Sequence, residues 1–249
     1  SSDSSVQATE LTSLNLLTKV AVNAASVTEI TGSIDELNIV YASGVSNEIS
    51  NLGDENVTIT DTSVSDASTL NTLNGYTTGT ITADSVTALT GTALTLNTLL
   101  TAGNNASVAN QFSADTFASL VRATVTDDST MSIADLNGAI AQANTATGKS
   151  TFAEGATVFS LASGATITSG DEAAFTTLLD YETNGLIALT DQNLNVNIGT
   201  INVDNANLLS ATTEGTITAS IATDSTVDSL KTLTGTNNYT IVISSADAT

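Results

Sequence analysis

Two stretches 59 residues apart can be laid over each other without a gap: "VTEITGSIDELN" at 27–38 and "VTALTGTALTLN" at 86–97. Val, Thr, a later Thr-Gly pair, Leu and the closing Asn coincide, and Ile30 is replaced by another aliphatic, Leu89. Upstream, "ELTSLN" (10–15) has a counterpart in "ASTLN" (67–71), so the likeness covers a long unit with small changes of length. A shorter phrase returns too, "GTITA" at 79–83 as "GTITAS" at 215–220. This duplication constrains the fold more than any other feature. A unit of this size cannot bury its own apolar side, so like units must cover one another, with the same small residues at the same turns.

Within each unit two kinds of segment alternate. One opens with a small polar cap and spaces its aliphatics as a helix does. "SDASTLNTLN" (65–74) offers Ser65 or Asp66 ahead of Leu70 and Leu73. "TALTLNTLL" (92–100) offers Thr92 ahead of Ala93, Leu96, Leu99 and Leu100. "SIADLNGAIAQANTATG" (132–148) predicts a helix after Ser132, with Ile133, Leu136, Ile140 and Ala143 in its stripe and Gly148 past its end. "GDEAAFTTLLDYETNG" (170–185) predicts another, with Asp171 and Glu172 in the first turn, where the helix dipole favours acids. The other kind is a short run alternating aliphatics with Thr or Ser: 57–60, 79–83, 123–127, 157–161, 186–190, 215–220 and 239–244. In the phrase at 76–91, "TITA" reads as the strand and "SVTALTG" as the connection to the next cap.

Strand alternating with helix at roughly 20 to 35 residues per pair points to parallel strands joined by helical crossovers. The expected fold is α/β, a repeat solenoid of short helix–strand coils with a parallel sheet. An all-β parallel solenoid with the "LNTL" segments as corners is the alternative. By segment, 1–7 reads as a polar tail, 8–130 as regular repeats, and 131–249 as diverged repeats with a terminal strand. Residues 150–170 lack a helical stripe and read as two short strands about a glycine turn. Residues 191–205 set Asn193, Asn195 and Asn197 on one face against Leu194, Val196 and Ile198 on the other.

Composition narrows the function. Hydrophobic residues make up 41% of the chain but aromatics only 4%, so the core has to be aliphatic. Thr is roughly one residue in five or six, well above ordinary usage and suited to half-exposed strands. Four Lys and Arg against 26 Asp and Glu give a formal charge of −22, which repels nucleic-acid phosphates and anionic lipid. No run reaches the roughly 18 apolar residues that span a bilayer. So few basic residues suggest secretion, and the opening "SSDSS" reads as a processed end or as an excerpt of something longer.

Chemistry is sparse. Without His or Cys, the Ser-His-Asp and Cys-His arrangements cannot be assembled. The adjacent acids Asp54–Glu55, Asp127–Asp128 and Asp171–Glu172 read as solvated turn and cap residues, since sequence neighbours rarely face one another across a site. The chain is expected not to be an enzyme. Calcium is the ligand that the oxygen donors in its turns suit. Its candidate positions are Asp54 and Glu55 in "LGDEN", Asp127 and Asp128 in "TDDST", and Asp191 and Asn193 in "TDQNLN". The EF-hand loop and the glycine-rich calcium nonapeptide are both missing from the sequence.

The stretch "ASTLNTLNGYTTGTITADSVTALTGTALTLNTLL" (67–100) resembles the tandem repeats of very large secreted or cell-surface proteins of marine cyanobacteria. Those proteins are adhesin-like and loosely described as haemolysin-type calcium-binding. The likeness is strongest over 67–100, extends over 8–66 and fades beyond residue 104. It implies an extracellular structural or adhesive role, with calcium, and carries no catalytic residue. The expected function is a non-enzymatic extracellular structural protein that assembles with copies of itself into a surface layer, fibre or appendage. The alternative is an adhesin or fibre module binding surface glycans, through a groove lined by Tyr181, Tyr239, Asn and Asp.

Overall fold

The computed structural model describes residues 3–104, 111–113, 116–145, 157–223 and 225–242. Within them the chain repeats one sequence of events, one to three short strands followed by a helix. It opens with β1 (Ser5–Gln7) and α1 (Ala8–Leu17), then β2 (Val22–Asn23), β3 (Glu29–Gly32) and α2 (Ile34–Val45). Next come β4 (Ile49–Ser50), β5 (Asn56–Ile59), β6 (Ser63–Val64) and α3 (Ala67–Asn74). They are followed by β7 (Ile81–Thr82), β8 (Ala88–Gly91) and α4 (Ala93–Asn104). β9 (Arg122–Val125), β10 (Thr130–Ser132) and α5 (Ile133–Ala143) lead to β11 (Val158–Ser160), β12 (Thr166–Gly170) and α6 (Glu172–Thr183). β13 (Asn193–Ile201), α7 (Val203–Thr212), β14 (Ile217–Ile221), α8 (Val227–Leu230) and β15 (Asn238–Thr240) complete the order. The stretch that ends with each helix is called a pass below.

Every strand pairing is parallel, and each joins strands of adjacent passes. The sheets run β1-β3-β5-β7, β6-β8-β9-β11 and β10-β12-β13-β14-β15, with β2-β4 as a two-stranded addition. Single bridges, Ile81 to Phe112 and Phe159 to Ile187, carry the first two sheets one pass further. Each of helices α1 to α6 packs on its successor. The protein is therefore α/β with parallel sheets, and its helices exclude the all-β alternative.

Helix starts are set locally. Ser33, Ser132, Asp171 and Asn202 accept the N–H three residues on, so α2, α5, α6 and α7 each begin with a side-chain cap. Packing adds a register between helices. The fifth residue of α2, α3 and α5 is an asparagine whose amide donates to the third carbonyl of the next helix: Asn38 to Thr69 (3.4 Å), Asn71 to Thr95 (3.3 Å) and Asn137 to Ala174 (2.9 Å). In α4, Asn97 reaches the Asp135 carboxylate at 3.3 Å instead. Beside these asparagines Leu37, Leu70, Leu96 and Leu136 are completely buried, each worth about 1.5–3 kcal/mol of hydrophobic burial. The recurring "LN" dipeptide thus couples a core residue to a helix-to-helix bond.

The passes alternate in pairs. α1 and α2 follow strands of the first sheet, α3 and α4 strands of the second, α5 and α6 strands of the third. Gly32, Gly91 and Gly170, in even passes, lie over the first residue of the preceding helix. A Cβ there would meet Ala8 at 2.9 Å, Ala67 at 3.0 Å and Ile133 at 2.4 Å. Odd passes do something different at the same level. Asp61 accepts the Ile34 N–H and Asp127 the Ala93 N–H, each at 2.7 Å, so an acid in the following pass caps the even helix. The 59-residue offset is this two-pass period.

Several expectations are corrected. The segment expected as a polar tail, 1–7, contains β1, paired with β3. "SVTALTG" is no mere connection, because its last four residues are β8, the central strand of the second sheet. At 186–190 a single bridge at Ile187 replaces the expected strand. The stretch 191–205, read as alternating throughout, ends as a strand at Ile201, and α7 starts within it at Val203. In β13 the register with β14 shifts after Val196, Gly199 takes φ 77°, and Ile198 is left 54% exposed. Of the closing run expected at 239–244, only 239–240 fall in a strand, β15, while 241–242 are irregular and 243–244 lie outside the described residues.

Gly79 is the tightest point of the stack, since a Cβ there would stand 2.1 Å from the Glu55 carbonyl oxygen. Gly79→Ala is expected to lower the stability measured by urea unfolding by about 3 kcal/mol. Gly75→Ala, whose Cβ would meet Thr72 O at 3.3 Å, is expected to change it little.

Candidate functional site

A buried polar side chain must find partners or destabilise the fold by a few kcal/mol. The buried polar residues are Glu55, Thr77, Thr116, Asn144, Thr157, Gln192 and Thr213 among those described. The four threonines act alike. Thr77 donates its hydroxyl to the Glu55 carbonyl (2.7 Å), Thr116 to Ile81 (3.3 Å), Thr157 to Leu120 (2.8 Å) and Thr213 to Gln192 (2.8 Å). Every acceptor belongs to the preceding pass. Thr77 and Thr213 also accept the N–H of Gly79 and Gly215, at 2.9 and 3.0 Å. Asn144 ties its helix end to the Thr157 N–H at 2.6 Å.

Opposite two of these threonines stand matching turns. Glu55 Oε2 accepts the Gly53 N–H at 2.9 Å, and Gln192 Oε1 accepts the Thr190 N–H at 2.8 Å. Asn56 Oδ1 takes the Thr80 N–H and Asn193 Oδ1 the Thr216 N–H, both at 2.9 Å. "DEN" at 54–56 and "DQN" at 191–193 are thus one device used twice, each answered by T-x-G in the next pass. The threonines were missed in the sequence, although the shared "T-x-GTITA" of 77–83 and 213–219 carried the signal.

Acid and amide differ in one respect. Gln192 Nε2 donates to the Ala162 carbonyl at 3.0 Å, whereas buried Glu55 Oε1 has no hydrogen-bond partner. Glu55 Oε2 also accepts the Tyr41 hydroxyl at 3.3 Å, and the Tyr41 ring stacks on Tyr76 at 5.9 Å and 10°. Burial, and after it the facing Glu55 charge, push the Tyr41 phenol well above its ordinary 10.0. It therefore remains a donor where a free tyrosine would have ionised.

The six residues read as calcium candidates fall in three separate passes. Glu55 is inside its turn with Asp54 exposed beside it. Asp127 caps α4, with Asp128 exposed next to it. Asp191 accepts the Ser163 hydroxyl and the Gln192 amide, and Ser163 followed by the Gly164 N–H holds its carboxyl below the ordinary range. Asn193 donates to the Gly164 carbonyl at 3.2 Å. No group of three or more His, Cys, Asp or Glu side chains is placed to hold a metal among the described residues, and these six do not converge on one. Of the third acid pair, Asp171 caps α6 and Glu172 Oε1 accepts from Asn202 N and Asn205 Nδ2, at 3.1 and 2.8 Å. All three pairs are bound into the fold or lie in its turns.

Two surfaces are left. Tyr181 is buried, the Tyr239 hydroxyl is bonded to the Ala206 carbonyl at 3.3 Å, and neither belongs to the groove between α2 and α3. That groove, of about 560 Å³, is walled by Asp35, Asn38, Ile39, Ala42, Thr69, Thr72 and Tyr76. The other surface is the pair of ends of the strand ladders. No helix among the described residues is long and apolar enough to cross a membrane. The one ion pair found among them, Lys231 with Asp228 at 2.9 Å, is exposed and contributes little. No protein-family model, curated protein or solved structure matches this chain.

Glu55→Ala strands the Gly53 N–H and Tyr41 hydroxyl and is expected to lower unfolding stability by about 2–3 kcal/mol. Glu55→Gln keeps both acceptances in a form the chain already uses at Gln192, and its stability is expected to equal or exceed the parent's. Thr77→Val is expected to cost about 1–2 kcal/mol in the same urea titration. Because the Tyr41 phenol is raised above its unfolded value, its contribution is complete below pH 10.0 and is lost as pH climbs beyond it. Alkaline unfolding midpoints are expected to fall more steeply for the parent than for Tyr41→Phe.

Proposed function

We propose that the chain is a non-enzymatic structural module: a repeat solenoid of helix–strand coils, exported from the cell, that assembles with copies of itself into a surface layer, fibre or appendage. The observation that carries this reading is how the passes are joined. Each interior pass meets the one before and the one after through parallel strands, buried aliphatics and threonine or asparagine bonds, while the first and last described passes have a single neighbour. A ladder of that kind is extended by adding more of the same. The polar groups inside it are spent on joining passes, which suits a scaffold better than a reaction centre. The scarcity of Lys and Arg supports export.

A formal charge of −22 opposes the approach of two copies, and salt or divalent cations relieve it. Calcium enters this proposal as a diffuse counter-ion. Negative-stain microscopy and sedimentation of the full chain at low salt with chelator, and at higher salt or with calcium, are the test. Filaments or sheets in the second condition that dissolve in the first are expected. Single short particles throughout would rule the reading out.

A second reading, a module binding surface glycans, draws on the groove between α2 and α3. There an aromatic ring, Tyr76, lies beside the hydrogen-bonding groups of Asp35, Asn38, Thr69 and Thr72. A glycan-array screen in which binding is lost in Tyr76→Ala and kept in Tyr239→Ala would favour it over the scaffold.

A further inference from the structure

The two ends of the strand ladders are unfinished in the same way. Each helix from α2 to α7 buries its seventh residue completely, Val40 and Leu99 among them, but the seventh residue of α1, Leu14, is 50% exposed. Around it Leu16 and Leu17 are 81% and 85% exposed on the helix that has a partner on one side only, and Val20, three residues past its end, is 75% exposed. Beside α1, strand β1 pairs with β3 and offers its other edge. At the opposite end β15 pairs with β14 alone among the described residues, and α8 buries none of its residues. Leu230 holds the fourth helical position there, where Leu37, Leu70 and Leu96 are fully buried, yet it is only partly covered. Ile241 and Val242, just past β15, are 43% and 57% exposed.

We propose that the β1–α1 end of one copy seats on the α8–β15 end of another, head to tail. This rests on the self-assembly reading above and names its contact surfaces. What should cover Leu14 is visible at every later helix: another pass of this architecture. A second copy brings one, since its far end has the matching need. Because every pairing within the sheets is parallel and β1 and β15 close opposite ends of the order of passes, their open edges can continue the same parallel pairing between copies, whereas β1 against β1 about a two-fold axis would be antiparallel. The contact is heterologous, so it leaves a free end on each side and grows without closing.

The test uses two charged variants of the full chain, Leu17→Glu on the first face and Val242→Glu on the second, at positions exposed enough to leave folding untouched. Circular dichroism and melting confirm the fold, and Leu14→Glu serves as a second first-face variant. In conditions where the parent assembles, each variant alone is expected to stay monomeric by sedimentation velocity. An equimolar mixture is expected to form dimers and stop, because Leu17→Glu keeps a good second face and Val242→Glu a good first one. Variants that polymerise like the parent, or a mixture that stays monomeric, would overturn the assignment of faces while self-assembly stands. A parent that is monomeric under all conditions would overturn both.

Discussion

Parallel pairing between passes is the constraint on which everything else in this protein depends. Most of its strands are two to five residues long, too short to hold one another unaided. A parallel neighbour has to come from the next turn of chain, so the backbone of each pass is satisfied by its predecessor and successor rather than by itself. The buried threonines extend the same rule to the corners, where a carbonyl would otherwise be stranded away from water. Thr suits this position because its hydroxyl is both donor and acceptor while its methyl packs as an aliphatic does. The unusual Thr content is, in part, the material from which the corners are joined.

The two-pass alternation follows from what happens over each helix start. An even pass comes down on an odd helix with glycine, and the backbones approach closely at Ala8 and Ala67. An odd pass comes down on an even helix with an aspartate, Asp61 or Asp127, whose carboxylate needs room and supplies a charge to the amide end of the helix. In those two passes the corner that holds the aspartate is followed by a new strand, β6 or β10, so the next helix starts from a fresh sheet, whereas α7 stays with the third sheet. Glu55 against Gln192 is a similar variation on one frame, with the acid tolerated where the amide is fully partnered.

Much of the fold was legible. The helices at 67–74, 93–104, 133–143 and 172–183 follow from their caps and aliphatic spacing, and the two strands about Gly164 from the absence of such spacing. The strands within "SVTALTG" and at 5–7 were not, because each is three or four residues long with a single large aliphatic, Leu89 or Val6, which is too little to display a period. Ile198 misled for the opposite reason: the Asn and aliphatic alternation is perfect in the text but is broken in space by a register shift at Gly199. Of the acids picked out as cation ligands, Glu55 and Asp127 are engaged by N–H groups, at a turn and at a helix start, which compete for the same carboxylate oxygens.

The direction of the hydrogen bonds has a mechanical consequence. In a parallel ladder of this kind the bonds between passes point along the order of the passes, so a pull between its two ends loads them in series. Such a load peels one pass at a time and does not shear a whole sheet at once. Paired residues in neighbouring passes are separated by as few as 20 positions, at Thr218 and Asn238, and as many as 36, at Arg122 and Val158. Each pass released therefore adds roughly 70 to 120 Å of slack at about 3.4 Å per residue. Under tension the molecule would lengthen in steps and shed load while the remaining passes stay folded.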